Sequence, residues 1–192
     1  MRIRRTRDEG FTLTELMVVV VILSLLAALS TTMFGRDNNA RKGRDWAKTV
    51  AQLLQRARFQ AMGDRADIHV LLYRTRVDMY RKETSGSYTL LGSVSGPAVD
   101  ADKTVAIWDA RSDGTTPTGQ SSTLATAPAL PASPTAANDI VFTSLGSTAN
   151  TTSWRVYLRN ELLGSTHPDA SFVIIIGGLT GYISTNDKVV LP

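Results

Sequence analysis

The residues that could do chemistry stand at the start of the chain. Gly10 and Phe11 separate a leader holding Arg2, Arg4, Arg5 and Arg7 from a long apolar run, and Glu15 is the single charge from Phe11 to Gly35. A secretory signal places its apolar region first and its small-residue cut afterwards. Here the order is reversed. A cut before Phe11 leaves the apolar run in the mature chain and exposes a new amine close to the Glu15 carboxylate. A carboxylate costs on the order of 2.5–3.5 kcal/mol at the centre of a membrane helix and less near its end. Glu15 therefore reads either as an interfacial acid or as the partner of a positive charge on a neighbouring subunit.

Other chemistry is thinly supported. Arg56 and Arg58 stand with Arg41, Arg44 and Lys48, and Arg65, Arg74, Arg76, Arg81 and Lys82 follow. Such a surface could hold phosphates, with a steep salt dependence. Interspersed acids such as Asp45, Asp64 and Asp67 favour a solvated face and charged strand edges instead. The net charge is +4, and much of that excess lies in the leader, so the rest of the chain is only slightly basic. Ser, His and Asp occur without catalytic spacing, so no catalytic residue is assigned and the chain is not read as an enzyme. Cysteine is absent and histidine is limited to His69 and His167, which argues against disulfides and a transition-metal site. Asn186-Asp187 is far short of a calcium site. No metal or cofactor is expected.

The elements that must position these residues read clearly. From Phe11 to Gly35 a helix would reach roughly 36 Å, enough for a hydrocarbon core about 30 Å thick. Positive residues flank it on both sides, so charge alone leaves its orientation nearly neutral. Trp46, Val50, Leu53, Leu54, Ala57 and Ala61 recur at helical spacing and mark an amphipathic helix ending at Gly63. If the two helices are continuous, Phe11 to Met62 spans roughly 78 Å. Strand patterns follow at 68–73, 77–80, 88–91, 105–108, 140–143, 154–158, 172–176 and 181–183. Residues 112–137 are rich in Thr, Ser, Ala and Pro, and a loop of that length reads as a flexible insertion.

The leader, Gly10-Phe11-Thr12-Leu13 and Glu15 together resemble the class III signal of type IV pilins and pseudopilins. The resemblance implies that a prepilin peptidase cuts after Gly10 and that Phe11 becomes the methylated N-terminus. It also implies that Glu15 meets the Phe11 amine of a neighbouring subunit and fixes their register. Leu54-Gln-Arg-Ala57-Arg58-Phe-Gln-Ala61, Ile140-Val-Phe142-Thr-Ser-Leu-Gly146, Val173-Ile-Ile-Ile-Gly177 and Thr180-Gly181 are similar to segments of the GspH/FimT group of minor pilins. Two positions depart from the pattern: Thr32 stands where pilins often carry a kinking Pro, and Tyr182 stands where an Arg often follows Thr-Gly.

The expected architecture is α+β, a pilin-like lollipop: a long N-terminal hydrophobic and amphipathic helix packed on a C-terminal, mainly antiparallel β domain. Its parts are a cleaved leader (1–10), a transmembrane or filament-core helix (11–35), an amphipathic helix (36–63) and a globular β domain (64–192). The resemblance implies a minor pilin in the priming or tip complex of a type IV pilus. The alternative is a GspH-type minor pseudopilin of type II secretion, and a third reading is a DNA-binding pilin using Arg56 and Arg58. A plain single-pass membrane protein with a periplasmic β domain remains the reading without processing. Implied partners are the prepilin peptidase, inner-membrane lipid, and other minor and major pilins through the N-terminal helix. The implied location is the inner membrane with the β domain periplasmic, then the filament near its tip.

Overall fold

In the computed structural model the residues described are 12–97, 104–113, 115–118, 120–121, 124, 139–149, 151, 153–164, 167, 170–186 and 191, without the side chains of 29 and 31–37. Gly10, Phe11, Asp187 and most of the 112–137 segment thus lie outside the described residues.

One helix, α1 (Leu13–Asp64), precedes eight strands. They are β1 (Ile68–Leu72), β2 (Arg76–Lys82), β3 (Tyr88–Ser95), β4 (Val105–Arg111), β5 (Asp139–Phe142), β6 (Trp154–Asn160), β7 (Ser171–Ile176) and β8 (Ile183–Asn186). The chain divides into two compact units, Met1–Asn38 and Asn39–Pro192. The second unit holds two four-stranded sheets ordered β3-β2-β1-β5 and β4-β6-β7-β8. Every strand pairing in them is antiparallel. The fold class is α+β; seven expected strands are present, and the last, expected at 181–183, instead runs Ile183–Asn186 after the turn at Gly181.

Alternation explains the sheets. Ile68, Val70 and Leu72 of β1 and Val77 and Met79 of β2 enter one core with Ile140 and Phe142 of β5. That core also takes Ile107 of β4, Val156 and Leu158 of β6, and Phe172, Ile174 and Ile176 of β7. Within this unit α1 fills the core with Trp46, Val50, Leu53, Leu54, Ala57 and Ala61, the stripe expected from the sequence. Gly43 lets the helix come close. A Cβ there would lie 2.7 Å from Nδ2 of Asn160 and 3.0 Å from the Phe172 ring. The Asn160 amide donates to the carbonyl of Asn39 at 2.8 Å.

The helix end differs from expectation. Gly63 lies inside the last turn, and Arg65 takes the left-handed position with φ of 50°. The Ala66 N–H then reaches back to the Ala61 carbonyl at 3.3 Å, the closure of a Schellman motif. Such a cap favours glycine, but the immediate entry into β1 sets where the helix must stop.

On the far face of the first sheet, Leu71, Tyr73 and Tyr80 form a second buried cluster. Polar groups there are paired. Asp78 is fully buried, accepts from Arg76 and takes a 2.6 Å bond from Ser93. His69 meets Asp139 at 2.5 Å. Described parts of the Thr/Ser/Pro-rich segment run along β4 and β6. Ser121 N–H donates to Trp108, Tyr157 OH donates to Thr115, and Leu124 joins the core.

Candidate assembly site

The N-terminal end of α1 is built around Glu15. The Thr12 N–H and hydroxyl both donate to Oε2 of Glu15 at 2.9 Å, and the Glu15 N–H donates to the Thr12 hydroxyl at 3.3 Å. This reciprocal arrangement is a capping box, which satisfies helix N–H groups that have no intrahelical partner. Glu15 thus has a local structural task besides the two roles considered above. The signal for it was already in the sequence, as Thr-x-x-Glu ahead of an apolar run.

Beyond this cap the helix is apolar all round. Every large apolar side chain described from Leu13 to Leu26 is at least 49 % exposed. A helix of that kind buries itself in lipid or among other helices. Among the described residues no helix is long and apolar enough to cross a membrane. The described side chains of the apolar run are unbroken only as far as Ala28.

Three of the four sequence segments singled out in the second unit meet at one point. Nε of Arg58, on α1, donates to the carbonyl of Gly146 at 3.2 Å. Gly181, in the β7–β8 turn, sits so close that a Cβ there would collide with the Gly146 carbonyl oxygen and come within 3.1 Å of Arg58. Gly146 and Gly181 both have positive φ, 75° and 59°. At Gly146 a Cβ would press on Sδ of Met62 at 2.7 Å. Nearby, Thr148 N–H and its hydroxyl both donate to Gly178. Arg58 therefore ties one loop to the helix and packs against the other. A guanidinium held this way is a structural clasp, whereas Arg56 points to solvent.

The remaining cations are mostly engaged. Arg74 pairs with Glu161 at 2.8 Å, Arg76 with Asp78 at 2.9 Å, and Arg81 with both Glu83 and Asp64. The hydrogen bond from Arg81, helped by Thr89, holds the Glu83 carboxyl below its ordinary range. Arg111 bonds Asp109 and Thr115. These four arginines, Arg74, Arg76, Arg81 and Arg111, neutralise carboxylates of their own domain. His167 lies in a turn closed by its N–H to the Gly164 carbonyl at 2.9 Å. Among the described residues no group of three or more acids and histidines could hold a metal ion.

Residues 5–31 match the prokaryotic N-terminal methylation motif. No match is found among curated proteins. Among solved structures the chain is similar to the type IV minor pilin FimU of Pseudomonas aeruginosa PAO1. There the identity is 17 %, the likeness covers 74 % of this chain and 87 % of that one, and the TM-score is 0.48. A second crystal form of FimU gives 16 %, 74 %, 91 % and 0.47. The minor pseudopilin EpsH of the Type 2 Secretion System of Vibrio cholerae gives 10 %, 76 %, 96 % and 0.48.

Proposed function

We propose that this chain, a type IV pilin-like protein with a class III signal, is a minor pilin that promotes assembly of a type IV pilus from its priming or tip complex. The observation that carries the reading is the methylation motif over residues 5–31, with Gly10-Phe11 at its processing junction and Glu15 in the first turn of α1. The prepilin peptidase cuts after Gly10, and the Phe11 amine is methylated. Before assembly the helix from Phe11 to Gly35 lies in the inner membrane with the β domain in the periplasm. On assembly it leaves lipid and re-buries its apolar surface against the helices of other pilins. Glu15 keeps one oxygen on the Thr12 cap and presents its negative charge to the Phe11 amine of a neighbour. Losing one member of a buried pair leaves the other uncompensated, at a cost of about 3–5 kcal/mol.

The minor-pilin branch draws its support from the segments around Ala57-Arg58, Gly146 and Thr180-Gly181, which act together as one clasp. A second reading is a minor pseudopilin of type II secretion, favoured by Thr32 where pilins often carry a kinking Pro. DNA binding through Arg56 and Arg58 is the weaker third, because Arg58 is committed to Gly146.

Two measurements test this. Mass spectrometry of the mature chain is expected to show methylated Phe11 at the N-terminus, and an intact Met1 refutes the proposal. Deletion of the gene is expected to abolish surface pili with exoprotein release unchanged, and the converse supports the secretion reading.

A further inference from the structure

From residue 39 onward the described chain exposes four large apolar side chains: Phe59 (62 %), Leu145 (85 %), Leu179 (77 %) and Tyr182 (66 %). Single exposed hydrophobics are ordinary, but clustered ones mark interaction sites. Each stands within two residues of one feature, the clasp of Arg58, Gly146 and Gly181. Phe59 lies under the Arg58 guanidinium at 5.8 Å, Leu145 precedes Gly146, and Leu179 and Tyr182 flank Gly181. The clasp of Arg58, Gly146 and Gly181 therefore presents four apolar knobs on a rigid base.

The knobs continue into a groove. Lys48, Gln52, Gln55 and Phe59 follow one another at four-, three- and four-residue spacing along one face of α1. Lys48, Gln52 and Gln55 line a cavity of about 390 Å³ opposite Tyr182, Ser184 and Thr185. The sheet ends here, since β8 is an edge strand. Arg56 lies three residues from Phe59 and so shares its side of the helix. No ion pair to Lys48 or Arg56 occurs among the described residues.

We infer that this surface docks a neighbouring, different pilin-type subunit through an apolar recess rimmed by carboxylates. The cations supply the charge argument: Arg56 and Arg58 stand beside Phe59 and Lys48 lines the groove, so a partner with acids at matching positions is attracted. The same cations disfavour a second copy. Two copies placed patch to patch would set Arg56 and Lys48 against like charges. Elsewhere on the described part of this unit no large apolar side chain is exposed to receive the knobs. Size is the second argument. Exposed patches on soluble chains reach roughly 300–600 Å², and a stand-alone interface needs about 800 Å² per partner. Four side chains fall short of the latter, so the contact suits subunits already held side by side by another interaction. The inference rests on the reading of the chain as a filament subunit.

The test places photoreactive benzoylphenylalanine at Leu179 in the full-length chain, expressed in its own cells. Irradiation is expected to give an adduct to another chain bearing its own N-terminal methylation motif. Leu145→Ser and Arg56→Glu should each lower the yield by at least about fivefold, the scale of a lost interface contact. The same probe at exposed Ser95 of β3 should give no such adduct. An adduct between two copies of this chain, a yield unmoved by both substitutions, or no adduct from a chain whose Phe11 is methylated overturns the inference. An intact Met1 in the same sample overturns the filament reading beneath it.

Discussion

The clasp gives the sharpest test of the fold, through Gly181→Ala. Gly181 has φ of 59°, and alanine in that left-handed region costs about 1–2 kcal/mol. Its Cβ would also collide with the Gly146 carbonyl and lie 3.1 Å from Cδ and Nε of Arg58, so one loop must move. Movement breaks the Arg58–Gly146 hydrogen bond, and a bond to a charged donor contributes about 1.5–3 kcal/mol. The two effects together come to about 2.5–5 kcal/mol. Gly86 supplies the control: its φ is 83°, but a Cβ there meets nothing within 4 Å. Gly86→Ala should therefore show the backbone cost alone, about 1–2 kcal/mol. The assay is urea unfolding of the detergent-solubilised chain followed by tryptophan fluorescence, with Trp46 buried in the core as a reporter. If Gly181→Ala costs no more than Gly86→Ala, the close approach at the clasp is wrong.

The same assay checks four further expectations. Gly43→Ala should destabilise by about 1–3 kcal/mol through overpacking against Asn160 and Phe172, whereas Gly63→Ala, with open space around it, should stabilise by about 0.5–1 kcal/mol. Arg65→Gly should raise stability by about 1 kcal/mol by relieving the left-handed strain at the helix end. Burial, with a smaller effect from Asp78, raises the Tyr73 phenol above its ordinary value near 10. A raised acid keeps its proton longer in the folded state. Its contribution is thus fully present below pH 10 and is lost as pH rises through the folded value. Tyr73→Phe should flatten that part of the alkaline stability profile relative to the unsubstituted chain.

Legibility tracked the range of the interactions involved. The α1 stripe from Trp46 to Ala61 and the short apolar runs of β1, β2 and β7 are local patterns, and each appears where the pattern placed it. The Glu15 cap was also local, since Thr-x-x-Glu needs only one turn. The helix end was misread because Gly63 is the better local stop, while the start of β1 at Ile68 moves the left-handed residue to Arg65. Gly43 gave no usable signal, because a glycine inside a helix has the same letters whether or not Asn160 and Phe172 press against it. The partners of the arginines were out of reach for the same reason. Arg74 and Glu161 are far apart in sequence, and only the fold brings them to 2.8 Å.

By itself the sequence determined the match to the N-terminal methylation motif over residues 5–31, the apolar helix that begins within it and the run of strands. Those features rest on residue type and short spacing, which need no partner from elsewhere in the chain. Tertiary structure alone decided that Arg58, Gly146 and Gly181 form one clasp, and that Phe59, Leu145, Leu179 and Tyr182 beside them stay exposed. Arg58 and Gly146 lie 88 residues apart. Contact between them depends on how α1 and the two sheets close around a common core, and that closure leaves no periodic trace in the sequence.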